Sequence, residues 1–115
     1  MKHLESKLQQ HCVRWFDLQY PKLKQLLFAI PNGGKRGVVE AKIMKGEGVR
    51  AGVADLFLSV SKSECHGLYI EMKTEKGKQT DSQATFEQAV TAQGYQYHII
   101  RTFEDFRVLI QGYLG

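Results

Sequence analysis

The chain has 115 residues, 43% apolar and 24% charged, the size and make-up of one ordinary globular domain. That excludes a disordered chain and two independent domains, and no apolar run approaches the roughly 20 residues of a membrane-spanning helix. Sixteen Lys and Arg against twelve Asp and Glu give a net charge of +4, a modest basic excess that fits a polyanionic partner without requiring one. The opening MKHLESKLQQH has no apolar segment behind its Lys and does not read as a signal peptide. Two cysteines, Cys12 and Cys65, do not make a disulfide framework, so reduced thiols and a cytoplasmic location are expected.

An amphipathic helix is expected over 3–19, where Leu4, Leu8, Cys12, Trp15 and Leu18 recur at three- and four-residue spacing before Pro21. Residues 26–30 read as a short strand stopped by Pro31-Asn32-Gly33-Gly34. Residues 38–45 read as a short helix, and Gly46, Gly48 and Gly52 as a flexible approach to the next strand. Strands are expected over 54–60 and 67–73, joined by the polar 61–66 as a hairpin. A capping box, Thr80-Asp81-Ser82-Gln83, opens a helix over 81–93 that Gly94 ends. Residues 95–101 read as a strand, and Thr102-Phe103-Glu104-Asp105 starts a final helix to about Tyr113. The order predicts an α/β domain with a central sheet flanked by helices.

The hairpin carries the chemistry. With its turn between Ser63 and Glu64, Asp55 faces Met72, one residue from both Glu71 and Lys73. Side chains alternate along a strand. Leu56, Leu58, Leu68, Ile70 and Met72 then form a core face, and Asp55, Phe57, Tyr69, Glu71 and Lys73 a second face. A one-residue shift of register sets Asp55 beside Glu71 or Lys73. Two carboxylates a few ångströms apart repel, and a divalent cation such as Mg²⁺ relieves that repulsion. The competing reading is an ordinary charged pair across two strands on a solvated face. Phe57 and Tyr69 on the same face argue that something covers it.

These residues resemble a known family. Asp55 followed by Glu71-Met72-Lys73 is similar to the Asp…Glu-x-Lys signature of the PD-(D/E)xK nuclease superfamily. The segment from Lys45 through Gly46-Glu47-Gly48-Val49-Arg50-Ala51-Gly52-Val53-Ala54 to Asp55-Leu56 resembles the stretch that names the VRR-type nuclease domain, VRR-NUC. Pro31-Asn32-Gly33-Gly34, Thr80-Asp81-Ser82-Gln83 and Glu5 fit the same family, over roughly residues 5–106. The resemblance implies a restriction-endonuclease-like αβββαβ core in a single domain. It also implies Mg²⁺- or Mn²⁺-dependent hydrolysis of DNA phosphodiesters. By that resemblance Asp55, Glu71 and the Met72 backbone carbonyl hold the metal, and Lys73 is the catalytic lysine. Glu5 reaches the metal directly or through water, and Gln83 supports the site.

Val49-Arg50-Ala51 departs from the Val-Arg-Arg of the family name, which touches DNA contact rather than the metal ligands. Short stand-alone members, often from phages or prophages, resemble junction resolvases, so a homodimer acting on branched DNA is expected. A catalytically inactive DNA-binding module of the same fold is the alternative.

The loop of Asn32, Gly33, Gly34, Lys35 and Arg36 reads either as a phosphate-holding loop or as an ordinary basic turn. Its place in the chain favours DNA contact, with Arg50, Lys42, Lys45, Lys76 and Lys78 as candidate extensions of a basic surface. His11-Cys12 and Cys65-His66 lack the short ligand pairs of a zinc site, and His98 reads as a packed histidine. Trp15, Phe16, Phe103 and Phe106 read as core or dimer packing. Walker and dinucleotide fingerprints are absent, so no nucleotide cofactor is expected.

Overall fold

The computed structural model describes residues 2–31 and 37–115. Helix α1 (Lys2–Gln19) leads through a 3-10 turn (Pro21–Leu26) to strand β1 (Leu27–Ala29). Helix α2 (Val38–Gly46) and strands β2 (Leu56–Leu58) and β3 (Leu68–Met72) follow. Helix α3 (Asp81–Ala92), strand β4 (Gln96–Ile100) and helix α4 (Phe103–Leu114) complete the chain. The strands form one sheet in the order β1-β2-β3-β4. The first three run antiparallel and β4 runs parallel to β3, with α3 as the crossover. This is the expected αβββαβ core.

The core lies between the sheet and α1 with α4. Cys12 and Phe16 of α1 and Phe106 and Ile110 of α4 meet Leu56, Leu58, Leu68, Ile70 and Met72 of the hairpin. The α1 stripe differs from expectation: Leu4 and Leu18 are exposed, while Cys12 and Phe16 are fully buried. A helix turns every 3.6 residues, so alternate four-residue steps from Leu8 to Cys12 to Phe16 track the buried face better than the three-residue steps to Trp15 and Leu18. Burial also pushes the Cys12 thiol up to about 12. Trp15 is used inside the chain. Its ring meets Phe103 and Phe106 edge-on at 5.8 and 6.1 Å, so it is not left as a free dimer surface.

Two further expectations are corrected. The strand expected over 26–30 begins one residue later, because Pro21 opens a 3-10 turn that runs through Leu26. The glycine approach to β2 is also held rather than loose. Gly52 has φ of +86°, and a Cβ there would lie 2.4 Å from the Ser82 carbonyl oxygen. Only glycine lets the chain pass so close to the first turn of α3.

The other face of the sheet is covered, as Phe57 and Tyr69 suggested. Tyr69 packs on Phe57 and Tyr95 and meets Phe86 of α3 edge-on at 5.0 Å. No described helix is long and apolar enough to cross a membrane.

Candidate active site

The register of the hairpin decides what faces what. Lys62 and Cys65 bridge at the tip, so the turn is centred where expected. Below it Leu58 pairs with Leu68 and Leu56 with Ile70. The four steps from Leu58 to Lys62 are therefore answered by three from Cys65 to Leu68. One extra residue is taken up on the first strand, as in a β-bulge. That offset takes Asp55 out of the expected pairing with Met72 and brings it beside Glu71, bonded to Ile70 and Met72 on either side. The carboxylates thus share one face at one level of the sheet, beside Lys73.

Main-chain bonds fix Asp55 from both sides. Its N–H donates to the Ile70 carbonyl at 3.1 Å, and its carbonyl accepts from the Ile30 N–H at 2.9 Å. Its carboxylate Oδ2 accepts from the Met72 N–H at 2.7 Å. The N–H and C=O of one residue in a strand face the same neighbour. The Met72 carbonyl therefore also faces the Asp55 side. Lys73 turns the other way, and its N–H donates to the Ile100 carbonyl at 3.0 Å.

Glu71 is only 3% exposed. Gln83 Nε2 donates to its Oε2 at 2.9 Å. The same Gln83 closes the capping box of α3: its Oε1 accepts from the Thr80 N–H at 2.9 Å and its own N–H donates to Thr80 Oγ1 at 3.2 Å. One residue thus starts the helix and holds the carboxylate. Glu71 Oε1 is buried with no hydrogen-bond partner. Burial first, then the neighbouring Asp55, holds the Glu71 carboxyl well above the usual carboxylate range. Glu5, from the first turn of α1, pushes the same way, while Lys73 pulls against them. Lys73 is itself buried at 8% exposure.

The structure brings together five of the predicted residues, namely Asp55, Glu71, Met72, Lys73 and Gln83, with Glu5 in electrostatic reach. Arg50 is exposed on the loop before β2, and Lys42, Lys45, Lys76 and Lys78 are exposed as well. Asn32, Gly33, Gly34, Lys35 and Arg36 lie outside the described residues. His98 is half-buried and hydrogen-bonds Gln96 at 2.8 Å. His11 stacks on Phe103 at 4.1 Å.

Three features escaped the sequence reading. Arg101 Nη1 donates to the carbonyls of Thr74 at 2.8 Å, Gly77 at 2.6 Å and, more weakly, Glu75 at 3.3 Å. Tyr97 Oη is a second buried oxygen without a hydrogen-bond partner, on the face that carries Glu71. Gln79, in the loop before α3, donates to Glu87 at 2.8 Å.

No three described His, Cys, Asp or Glu side chains gather into a metal-binding group. Two carboxylates and a main-chain carbonyl nonetheless suit Mg²⁺ or Mn²⁺, which take few protein oxygens and keep several waters. The orphaned Glu71 Oε1 and the raised Glu71 carboxyl mark a place where a cation would compensate charge. The donor set fits such an ion.

A mixed αβββαβ sheet with Asp…Glu-x-Lys converging on its central hairpin defines a nuclease-type fold of the PD-(D/E)xK class. The VRR-NUC domain model matches residues 1–104, and the chain belongs to that family. A solved VRR_NUC domain protein is similar over 96% of this chain and 87% of its own, at 25% identity and a TM-score of 0.82. No curated protein matches the chain.

Proposed function

We propose that this chain is a Mg²⁺- or Mn²⁺-dependent DNA endonuclease that hydrolyses phosphodiester bonds. The observation that carries the reading is the pairing of Asp55 with a buried, charge-frustrated Glu71, both tied down by hydrogen bonds from elsewhere. Asp55, Glu71 and the Met72 carbonyl would hold the cation, with Glu5 reaching it directly or through a water. A divalent ion bound there lowers the pKa of a coordinated water and offsets charge on a phosphate oxygen. Gln83 keeps the Glu71 carboxylate oriented. The Lys73 ammonium, on the same face, orients the nucleophile or stabilises the charge that builds on the phosphorus oxygens. Arg50 and the exposed lysines of α2 and of the loop after Lys73 would meet the DNA backbone. The loop of Asn32 to Arg36 is assigned to the same contact.

A domain this small grips little duplex by itself, so we assign a homodimer and a branched substrate such as a four-way junction. The described apolar side chains left for a partner copy include Phe28, Val38, Val39 and Ile43. Light scattering after gel filtration is expected to give twice the 13.1 kDa chain mass, and the chain mass itself would remove the dimer from the reading.

The activity is tested on labelled four-way junction, flap and plain duplex DNA, each with Mg²⁺, Mn²⁺ or EDTA. Metal-dependent cutting with the junction preferred is the expected result. Binding without cutting under every metal would instead identify the inactive DNA-binding module.

A further inference from the structure

We propose that Arg101 is a positioning residue for Lys73, acting through the loop that follows it. The inference rests on the nuclease reading above. Lys73 is the last residue before a turn at Thr74–Gly77, closed by the Gly77 N–H donating to the Thr74 carbonyl at 3.1 Å. Such a polar turn has little side-chain packing to hold it. Here a single guanidinium nitrogen donates two short bonds, to the Thr74 and Gly77 carbonyls at 2.8 and 2.6 Å, with the Glu75 carbonyl at 3.3 Å. Charge-assisted bonds of this length are the strong class.

The turn in its held form lies on Lys73 itself. A Cβ built on Gly77 falls 3.5 Å from Lys73 Cδ and 3.0 Å from Thr74 Oγ1. The Gly77 backbone therefore passes about one methyl group's distance from the aliphatic stem of Lys73. On the other side, the Lys73 N–H is bound to the carbonyl of Ile100, the residue before Arg101. Arg101 thus joins the strand that fixes the Lys73 backbone to the turn that runs beside its side chain. Without the guanidinium, three carbonyls lose their shared donor, the turn beside the Lys73 stem relaxes, and the ammonium samples positions away from the phosphate. A displacement near 1 Å at a reacting group costs on the order of a hundredfold in rate.

The test compares wild type, Arg101→Gln, Arg101→Lys, Lys73→Ala and the Lys73→Ala/Arg101→Gln double variant. Single-turnover cleavage with Mg²⁺, DNA binding by anisotropy and the melting temperature are read for each. Arg101→Gln is expected to lose about 10- to 100-fold in rate with DNA affinity within about threefold. Arg101→Lys, which keeps the charge, should recover part of that loss. The double variant should cut no more slowly than Lys73→Ala, because a residue acting through Lys73 has nothing left to act on.

A wild-type rate in Arg101→Gln, or losses that multiply in the double variant, would overturn the proposal. NMR order parameters of the Lys73 side-chain methylenes, measured without DNA or metal, decide the matter independently of cleavage. They should fall in Arg101→Gln, and unchanged values at an unchanged fold would refute the link. Were the wild type inactive on every substrate, the nuclease reading would fail while this measurement still judged the positioning.

Discussion

At the scale of single residues, Glu71 combines features that stability alone would not select. It is a buried carboxyl with one oxygen lacking a partner, next to a second carboxylate. Replacing it by the isosteric amide removes a group that must either hold a proton above its ordinary range or carry a buried charge, and keeps an acceptor for Gln83. Glu71→Gln is expected to raise the stability of the metal-free protein by about 1 kcal/mol and to abolish any melting shift caused by Mg²⁺. Thermal melting with and without Mg²⁺ checks both, and a destabilised variant that still responds to Mg²⁺ contradicts the assignment. His98 gives a separate pH dependence. Burial lowers its pKa below the ordinary 6.5, so its charged form is disfavoured in the fold. The stability this contributes is present above pH 6.5 and is lost as pH falls through the lower folded value. The melting temperature of His98→Gln, compared with wild type from pH 7.5 to 5, should therefore gain on it as the solution is acidified. A constant difference would show that His98 does not titrate at a shifted pKa.

At the scale of elements, α3 is locked to the site at its first turn. Thr80 and Gln83 form the reciprocal cap, and Gln83 holds Glu71. Thr80→Ala should cost about 1 kcal/mol in denaturant unfolding, since the Gln83 N–H loses the Thr80 Oγ1 acceptor, and lower the cleavage rate as the first turn of α3 that carries Gln83 loosens. Gly52→Ala should be worse, by about 2 kcal/mol or more. It puts a side chain at a left-handed φ and 2.4 Å from the Ser82 oxygen. Normal stability in Gly52→Ala would mean the loop at Gly52 and the first turn of α3 do not meet as described.

The same elements show what the sequence revealed. The cap, the chain order and the two faces of the hairpin were legible because each is local: a spacing, an alternation or a turn residue. The register was not. It depends on one extra residue between Leu58 and Lys62, which no turn chemistry announces, and that residue brings Asp55 beside Glu71. The 3-10 turn at Pro21–Leu26 was hidden for a like reason, because its apolar Leu23 and Leu26 read equally well as the approach to a strand.

At the scale of the whole molecule, the sheet separates two tasks. One face, with Phe16, Phe106 and Ile110 packed against the hairpin, supplies the apolar core. The other face, under α3, carries the carboxylates, Lys73 and an aromatic layer that limits water around them. Arg101 was invisible as a site residue in the sequence because its partners are main-chain carbonyls, which carry no residue identity. The distribution of exposed cations also yields an expectation: DNA affinity should fall steeply between 50 and 200 mM salt, by roughly a factor of ten or more if several phosphates are contacted. Anisotropy titrations at those concentrations measure it, and a flat salt response would exclude a phosphate-binding surface.

In the proposed function Asp55, Glu71 and Lys73 form a metal-dependent phosphodiesterase centre. The most direct measurement is the initial rate of Mg²⁺-dependent cleavage of a labelled four-way junction by wild type and by Lys73→Ala purified side by side. Wild type should cut and EDTA should abolish the cutting, while Lys73→Ala should lose at least about a hundredfold with the fold intact. Equal rates in the two proteins, or cutting that survives EDTA, would contradict it.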